Sequence, residues 1–157
     1  MSDHFGLPYR PGVGIMLLDA GNCIFTGQRL DSKLEAWQMP QGGIDEGEEP
    51  LATAYRELAE ETGITNVALL AEAREWLTYD LPDALIGVLW HGRYRGQRQK
   101  WFAMRFLGAD ADVDIATEHP EFRSWRWSTV DELADLIVPF KRDLYTAVIA
   151  EFRHLLG

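Results

Sequence analysis

The apolar and polar positions of this chain predict several short strands, the first of them close to the N-terminus. An apolar run at residues 14–18 is typical of a buried strand, and turn-forming residues 20–22 return the chain into a second strand at residues 23–28. An extended segment is predicted at residues 67–79, further strands at residues 99–107 and 122–127, and a polar loop at residues 31–36.

The first helix is predicted between Pro50 and Gly63, where apolar residues recur at helical spacing. Proline suits the first turn of a helix because the N–H groups of that turn make no hydrogen bond within the helix, so the missing N–H costs nothing. Glycine is the commonest residue just after a helix end. Side chains placed at 100° per residue form a stripe within about 60° of Leu51, which we expect to be buried. The other members of this stripe are Ala54, Tyr55, Leu58 and Thr62.

Two more helices are predicted near the C-terminus. Ser128 or Thr129 would begin the first of them, which runs through Leu136 and has Glu132 available for a capping box. The second is amphipathic and covers residues 141–155. Strands, one helix, more strands and then helices predict a mixed α/β fold, and no linker divides residues 1–157, so a single domain is expected.

Glu57, Glu60 and Glu61 share a second face of the first helix, between about 180° and 280° from Leu51. Carboxylates this close repel one another unless a cation offsets their charge. Oxygen ligands of this kind suit Mg²⁺ or Mn²⁺ better than zinc. The alternative is an ordinary solvated, glutamate-rich helix face.

The composition restricts the partners of the protein. The 157 residues carry a formal net charge of −10, which argues against non-specific binding to a phosphate backbone. A polyphosphate substrate would therefore need metal ions or a local basic patch. Residues 84–109 contain no Asp or Glu but five Lys or Arg, and Lys100 is the favoured phosphate contact among them. A solvated basic loop is the alternative.

Cysteine usage and hydropathy indicate the compartment. Cys23 is the single cysteine, which excludes an internal disulfide, and its strand-like setting predicts a buried thiol. The N-terminus shows no signal pattern, and no apolar run approaches the roughly 20 residues that a membrane span requires. We therefore expect a cytoplasmic protein without a membrane partner.

The segment from Gly42 to Ile64 carries a longer motif. Gly42 is followed by five residues and Glu48, then by seven residues and Arg56-Glu57-Leu58, and the motif ends in Glu60-Glu61, one further residue and Gly63-Ile64. This string matches every fixed position of the Nudix box, and the protein therefore resembles the Nudix hydrolases. The resemblance implies a mixed β-sheet sandwiched between α-helices and the hydrolysis of a nucleoside diphosphate linked to another group.

The same motif suggests how the site is assembled. Arg56 can bind a carboxylate through two hydrogen bonds and hold the acidic cluster in shape, with Glu48 as a supporting carboxylate. Gly42 and Gly43 let the backbone come close to metal or phosphate. With Glu121, which only the resemblance outside the box adds, the expected catalytic residues are Arg56, Glu57, Glu60, Glu61 and Glu121, and the expected ligands of two or more Mg²⁺ or Mn²⁺ ions are Gly42, Glu57, Glu60, Glu61 and Glu121.

Outside the box, residues 9–11, 37–43, 96–102, 120–122 and 140–143 are similar to one Nudix branch, which holds bacterial RNA pyrophosphohydrolases and plant-type dinucleoside tetraphosphate hydrolases. By that resemblance Glu121 is a metal ligand or a catalytic base. Substrate contacts are implied for Arg10 and Lys100 with phosphates, for Phe140 and Lys141 with a base, and for Tyr79 by stacking, with Gly43 beside the phosphates. Without the resemblance, Phe140 would be a core residue and Tyr79 a sheet aromatic.

Three functions remain open. The first is an RNA 5′ pyrophosphohydrolase, which converts a 5′-triphosphate end to a monophosphate and is the preferred hypothesis. The second is a dinucleoside polyphosphate hydrolase that cuts diadenosine tetraphosphate into ATP and AMP. The third is a non-catalytic nucleotide-binding module, which the intact glutamates Glu57, Glu60 and Glu61 argue against. We expect a monomer in each case.

Overall fold

The structure, a computed structural model, describes residues 6–30, 36–118 and 120–156. Most of the predicted loop at residues 31–36 lies outside these residues. Seven strands of the described chain form one sheet: β1 Tyr9–Leu18, β2 Ile24–Arg29, β3 Gln41–Gly43, β4 Val67–Glu72, β5 Leu77–Asp80, β6 Gly96–Phe106 and β7 Phe122–Ser128. The α-helices are α1 Pro50–Thr62, α2 Leu133–Leu136 and α3 Arg142–Phe152.

The sheet is mixed, as predicted. Its order is β4-β6-β1-β2-β7, with β3 beside β1 and β5 beside β6. Strands β1 and β6 run parallel in register from Tyr9 opposite Gly96 to Leu18 opposite Arg105, and the other pairs are antiparallel. The long central pair places the start of β1 and the start of β6 side by side, at the edge where the candidate site lies.

Both faces of the sheet are covered, which explains why β1 is apolar on both sides from Val13 to Leu18. Ile15 and Leu17 belong to a core cluster that α1 completes with Ala54 and Leu58. Met16 belongs to a second cluster on the opposite face, which α3 completes. The helices therefore sandwich the sheet, and the predicted α/β/α architecture is confirmed.

Helix α1 has the expected ends but a rotated buried face. Pro50 is its first residue, and Gly63 ends it with a left-handed φ of 71° and an N–H that donates to the Ala59 carbonyl at 2.9 Å. The prediction that Tyr55 is buried is wrong, since its side chain is 39% exposed. The face turned into the protein is instead shifted toward the acidic side and includes Glu61.

Other boundaries differ in small ways from the prediction. The extended segment 67–79 is divided into β4 and β5. Cys23 precedes β2 and is only partly buried, so the expected buried thiol is wrong. The second predicted helix is a 3₁₀ turn followed by α2, and the Thr129 N–H donates to the Glu132 carboxylate at 2.8 Å. Within the described residues, no helix combines the length and the apolar character needed to cross a membrane.

Candidate metal and phosphate site

A cleft of about 200 Å³ opens where β3 and the acidic side of α1 meet the starts of β1 and β6. It combines carboxylates with arginine side chains. Six of the residues singled out by sequence reasoning line it, and sequence reasoning missed four others. The predicted ones are Arg10, Gly42, Gly43, Glu57, Glu61 and Glu121, and the missed ones are Arg29, Gln41, Trp90 and Gln97.

Arg56 holds the acidic cluster together. Its Nε and Nη2 donate to the two oxygens of Glu48 at 2.7 and 2.8 Å, the bidentate contact expected from the sequence. Its Nη1 donates to Glu57 at 2.9 Å and to Glu60 at 3.1 Å, and Nη2 also reaches the Gly43 carbonyl at 3.1 Å. The hydrogen bond from Arg56 lowers the pKa of Glu48 to about 2. One guanidinium thus ties helix α1 to strand β3 and to the loop between them.

Glu61 is the most deeply buried carboxylate of the cleft, at 3% exposure. Its Oε2 has no hydrogen-bond partner among the described residues. Burial, followed by the charges of Glu57 and Glu121, raises its pKa well above the usual range, although the Gln41 backbone N–H donates to it. A buried acid with an unsatisfied oxygen is unfavourable by itself, and a bound cation would satisfy it.

Glu57 shares this environment. Burial raises its pKa to about 7, and the charges of Glu60 and Glu121 act in the same direction, while Arg56 opposes them. A Cβ on Gly42 would overlap the Glu57 carboxylate, so glycine at this position makes room for it. The carboxylates of Glu57, Glu61 and Glu121, which line one cleft, are oxygen donors of the kind that a hard divalent cation binds.

The carboxylates do not yet surround one point. Among the described residues, no three His, Cys, Asp or Glu side chains converge as a ready metal site. Arginines occupy their oxygens, since Arg56 donates to both Glu57 and Glu60, and Arg29 lies 3.6 Å from Glu121. Binding a cation would therefore require exchange of arginine contacts for metal contacts.

The basic side of the cleft is formed by Arg10 and Arg29. Arg10 lies beside Gly43, where an added Cβ would overlap its guanidinium, and its Cζ is 5.4 Å from the centre of the Trp90 ring. Arg29 gives no local signal in the sequence, because it reaches the cleft only through strand pairing, and Gln97 had only its place in the family-like segment 96–102. Trp90 had one weak signal, its position within the acid-free segment 84–109.

Tyr79, Phe140 and Lys141 lie close to one another but are not among the residues that line the cleft. The Tyr79 and Phe140 rings are 6.0 Å apart, and Lys141 Nζ is 5.0 Å from the centre of the Tyr79 ring. Lys141 is 6% exposed, and its burial, aided by the charge of Arg29, lowers its pKa to about 7. Burial raises the pKa of Tyr79 to about 12, and the side chain of Gln41, a cleft residue, opposes this rise, so the group adjoins the cleft.

The structure does not bring Lys100 to the cleft. Its ammonium lies 3.3 Å from Glu72. The basic residues of segment 84–109 also do not form the single patch that the sequence suggested, because Arg95 pairs with Asp80 at 3.1 Å and Arg105 donates to Asn22 at 2.7 Å. Strand β6 sends the side chains of Lys100 and Arg105 to opposite faces, so clustering in sequence did not become clustering in space.

Comparison with known proteins places this geometry in a family. The NUDIX domain model matches residues 8–148. An RNA pyrophosphohydrolase of Rhodospirillum rubrum is 62% identical over 146 residues, which cover 93% of this chain and 88% of the relative. One of Sphingopyxis alaskensis is 59% identical over 154 residues, 97% of this chain and 98% of the relative.

Solved structures show the same fold at low identity. An Ap4A hydrolase of C. elegans, in a binary complex, has a TM-score of 0.65 at 19% identity, with 90% of this chain and 96% of that chain covered. A MutT protein of Methanosarcina mazei has a TM-score of 0.64 at 18% identity, with 93% and 96% covered. With a family match over most of its length, this chain belongs to the NUDIX domain family.

Proposed function

We propose that this protein is an RNA 5′ pyrophosphohydrolase, which hydrolyses a phosphoanhydride bond at a 5′-triphosphate end and leaves a 5′-monophosphate. The observation that carries the RNA substrate is the near-full-length similarity, at 53–62% identity, to relatives named RNA pyrophosphohydrolase. The cleft supports the chemistry, because it sets Arg10 and Arg29 against the carboxylates of Glu57, Glu61 and Glu121. A cytoplasmic, monomeric enzyme is part of the proposal.

The residues proposed to hold two or more Mg²⁺ or Mn²⁺ ions are Gly42, Glu57, Glu60, Glu61 and Glu121. When bound there, such ions supply charge screening for the phosphates and a water molecule of lowered pKa. The buried Glu61, whose Oε2 has no hydrogen-bond partner among the described residues, is the carboxylate best placed to be satisfied by such an ion. Arg56 keeps Glu57 and Glu60 on the side of the cleft through its hydrogen bonds to both.

The substrate would enter with its phosphates on the arginine side. Arg10 is proposed to bind a phosphate oxygen through its guanidinium, a group that suits phosphate geometry. Glu121 lies beside Arg29 and is proposed as a metal ligand or as the base that accepts a proton from the attacking water. Tyr79, Phe140 and Lys141 are proposed to contact a nucleobase, which requires that the buried Tyr79 and Lys141 become accessible beside the partly exposed Phe140.

A direct comparison of substrates tests the proposal. The purified protein is given Mg²⁺ with either a 5′-triphosphorylated RNA oligonucleotide or diadenosine tetraphosphate, and the products are followed in ¹⁸O-labelled water to locate the attacked phosphorus. We expect a higher kcat/KM on the RNA, with pyrophosphate or phosphate released.

The other possible outcomes of this comparison would support one of the two alternative functions. Faster cleavage of diadenosine tetraphosphate into ATP and AMP would favour the dinucleotide hydrolase instead. No turnover of either substrate, with nucleotide binding retained, would support the non-catalytic module. Glu61→Gln serves as the matched variant that should remove any activity due to this site rather than to a contaminant.

A further inference from the structure

Trp90 lines the cleft although it carries no group that a phosphate hydrolase needs for chemistry. Its ring borders the Arg10 guanidinium, with 5.4 Å from Cζ to the ring centre, a distance at which a cation–π attraction operates. On another side, the guanidinium lies against Gly43, where an added Cβ would leave no room for it. Arg10 is therefore confined by an aromatic face and by bare backbone.

The backbone around Trp90 is arranged to present this ring. Trp90 and His91 have left-handed φ values of 52° and 59°, which are uncommon for residues with a Cβ. Non-glycine residues remain in this region only when the surrounding structure holds them there, and they concentrate at functional sites. Gly87 and Gly92 close the loop beneath, since a Cβ on Gly92 would lie 3.1 Å from the Gly87 Cα.

A neighbouring ring fixes the orientation further. Tyr94 meets Trp90 edge to face, with centroids 6.1 Å apart and an interplanar angle of 76°. Trp90 also packs against the core cluster on the α3 side of the sheet. The indole is thus held from behind, while its contact with Arg10 faces the cleft.

We propose that Trp90 is a positioning residue for substrate phosphates, which acts by holding the Arg10 guanidinium in the orientation that binds them. This inference rests on the proposed function in so far as Arg10 binds phosphate. The alternative role of the same ring is direct stacking on a nucleobase of the substrate. The two roles differ in one respect: positioning requires Arg10, and stacking does not.

A double-mutant cycle on Arg10 and Trp90 separates these roles. The variants are Trp90→Leu, Arg10→Ala and the combination, measured for KM and kcat on triphosphorylated RNA and, by calorimetry, for Kd of tripolyphosphate with Mg²⁺. We expect Trp90→Leu alone to raise both KM and Kd about three- to tenfold and to leave kcat within about twofold. In the Arg10→Ala background it should raise neither further.

Graded variants and a matched control keep the test independent of folding. Trp90→Tyr and Trp90→Phe retain a ring of weaker cation–π attraction, so KM should rise in the order Trp, Tyr, Phe, Leu. Trp76 forms a similar pair with Arg98, whose Cζ lies 4.3 Å from the centre of the Trp76 ring, but neither residue lines the cleft. Trp76→Leu should therefore leave KM unchanged. Thermal unfolding of each variant checks the fold.

An equal rise in KM from Trp90→Leu with and without Arg10 would overturn the inference in favour of direct stacking. An unchanged Kd for tripolyphosphate in Trp90→Leu would also overturn it. If the wild-type protein binds tripolyphosphate but does not turn over RNA, the proposed function fails, and the binding cycle still decides the role of Trp90.

Discussion

The Glu61 carboxylate is nearly inaccessible and has one oxygen without a hydrogen-bond partner among the described residues. Proteins rarely bury an acid in this way, because the desolvated charge is costly unless it is paired. Around it, Gln41 supplies one backbone N–H, and Glu57 and Glu121 add like charge. At the scale of one residue, the buried carboxylate destabilises the metal-free protein, and a bound cation would offset that cost.

The first prediction concerns this residue. Glu61→Gln should lower kcat at least about a hundredfold, because it weakens metal binding and the activation of water. The same change should not lower the melting temperature of the metal-free protein at pH 7, because an amide carries no charge that burial would penalise. Steady-state kinetics at saturating Mg²⁺ and thermal unfolding with a chelator measure the two effects.

Glu46→Gln is the matched control, because Glu46 is exposed and lies at a variable position of the box. It should behave as the wild type in both assays. Near-normal turnover of Glu61→Gln at saturating Mg²⁺ would contradict the assignment of Glu61 as a metal ligand.

At the scale of elements, the site depends on how closely strand β3 approaches helix α1. Antiparallel pairing of Gly42 with Val13 and of Gly43 with Gly12 fixes the strand on β1. The rotation of α1 then turns its acidic side toward that strand. Arg56 joins the two elements through its hydrogen bond to the Gly43 carbonyl.

The second prediction tests this approach. Gly42→Ala should preserve the fold, since the group in its way is the flexible end of Glu57, but should displace that carboxylate. We expect kcat/KM to fall about a hundredfold, as misplacement of a reacting group by about 1 Å can do. Kinetics on RNA and a thermal melt of the same preparation provide the measurement.

Gly21→Ala is a suitable comparison, because Gly21 lies in the turn after β1 and its nearest contact for a Cβ is the Asp19 carboxylate at 3.6 Å. It should retain wild-type kinetics. If Gly42→Ala also retained them, the close approach of β3 to Glu57 would have no functional role.

At the scale of the whole molecule, the raised pKa values link stability to pH and to metal ions. The pKa of Glu57 is about 7 in the folded protein, against an ordinary value of 4.5. The folded state therefore binds this proton more tightly than the unfolded state does. Its contribution is fully present below pH 4.5 and is lost as the pH rises to about 7, and Glu61 acts in the same direction.

The third prediction follows from this linkage. In the presence of a chelator, the melting temperature should fall by several degrees between pH 5 and pH 7, as about 2 kcal/mol of unfolding free energy from Glu57 is lost. Mg²⁺ should restore more stability at pH 7 than at pH 5, because it binds the ionised carboxylates. Thermal unfolding over this pH range, with and without Mg²⁺, provides the measurement.

Between pH 5 and pH 7, two groups whose lowered pKa values have the opposite effect on stability contribute little change. The pKa of Lys141 is lowered to about 7, so its contribution to stability grows only above that pH. The pKa of Glu48 is lowered to about 2, so its contribution is already complete at pH 5. Glu57→Gln should flatten the slope, Glu46→Gln should not, and a melting temperature that rises from pH 5 to pH 7 would refute the linkage.

Much of the architecture follows from patterns that are local in the chain. Pro50 and Gly63 mark the ends of α1 through backbone preferences of single residues. Glu57, Glu60 and Glu61 share a face because helical geometry converts spacing directly into direction. The bidentate contact of Arg56 with Glu48 was likewise accessible from the chemistry and spacing of the box.

The remaining features of the site could not be predicted from the sequence, because they depend on long-range strand pairing and on helix packing. Arg29, Trp90 and Gln97 reach the cleft from β2, from the loop before β6 and from β6 itself, and Lys100 leaves it through the same pairing. The burial of Glu61 is decided by the rotation of α1 on the sheet. Spacing along one helix determines which side chains are neighbours, but only the packed sheet decides which strands meet and which way each side chain points.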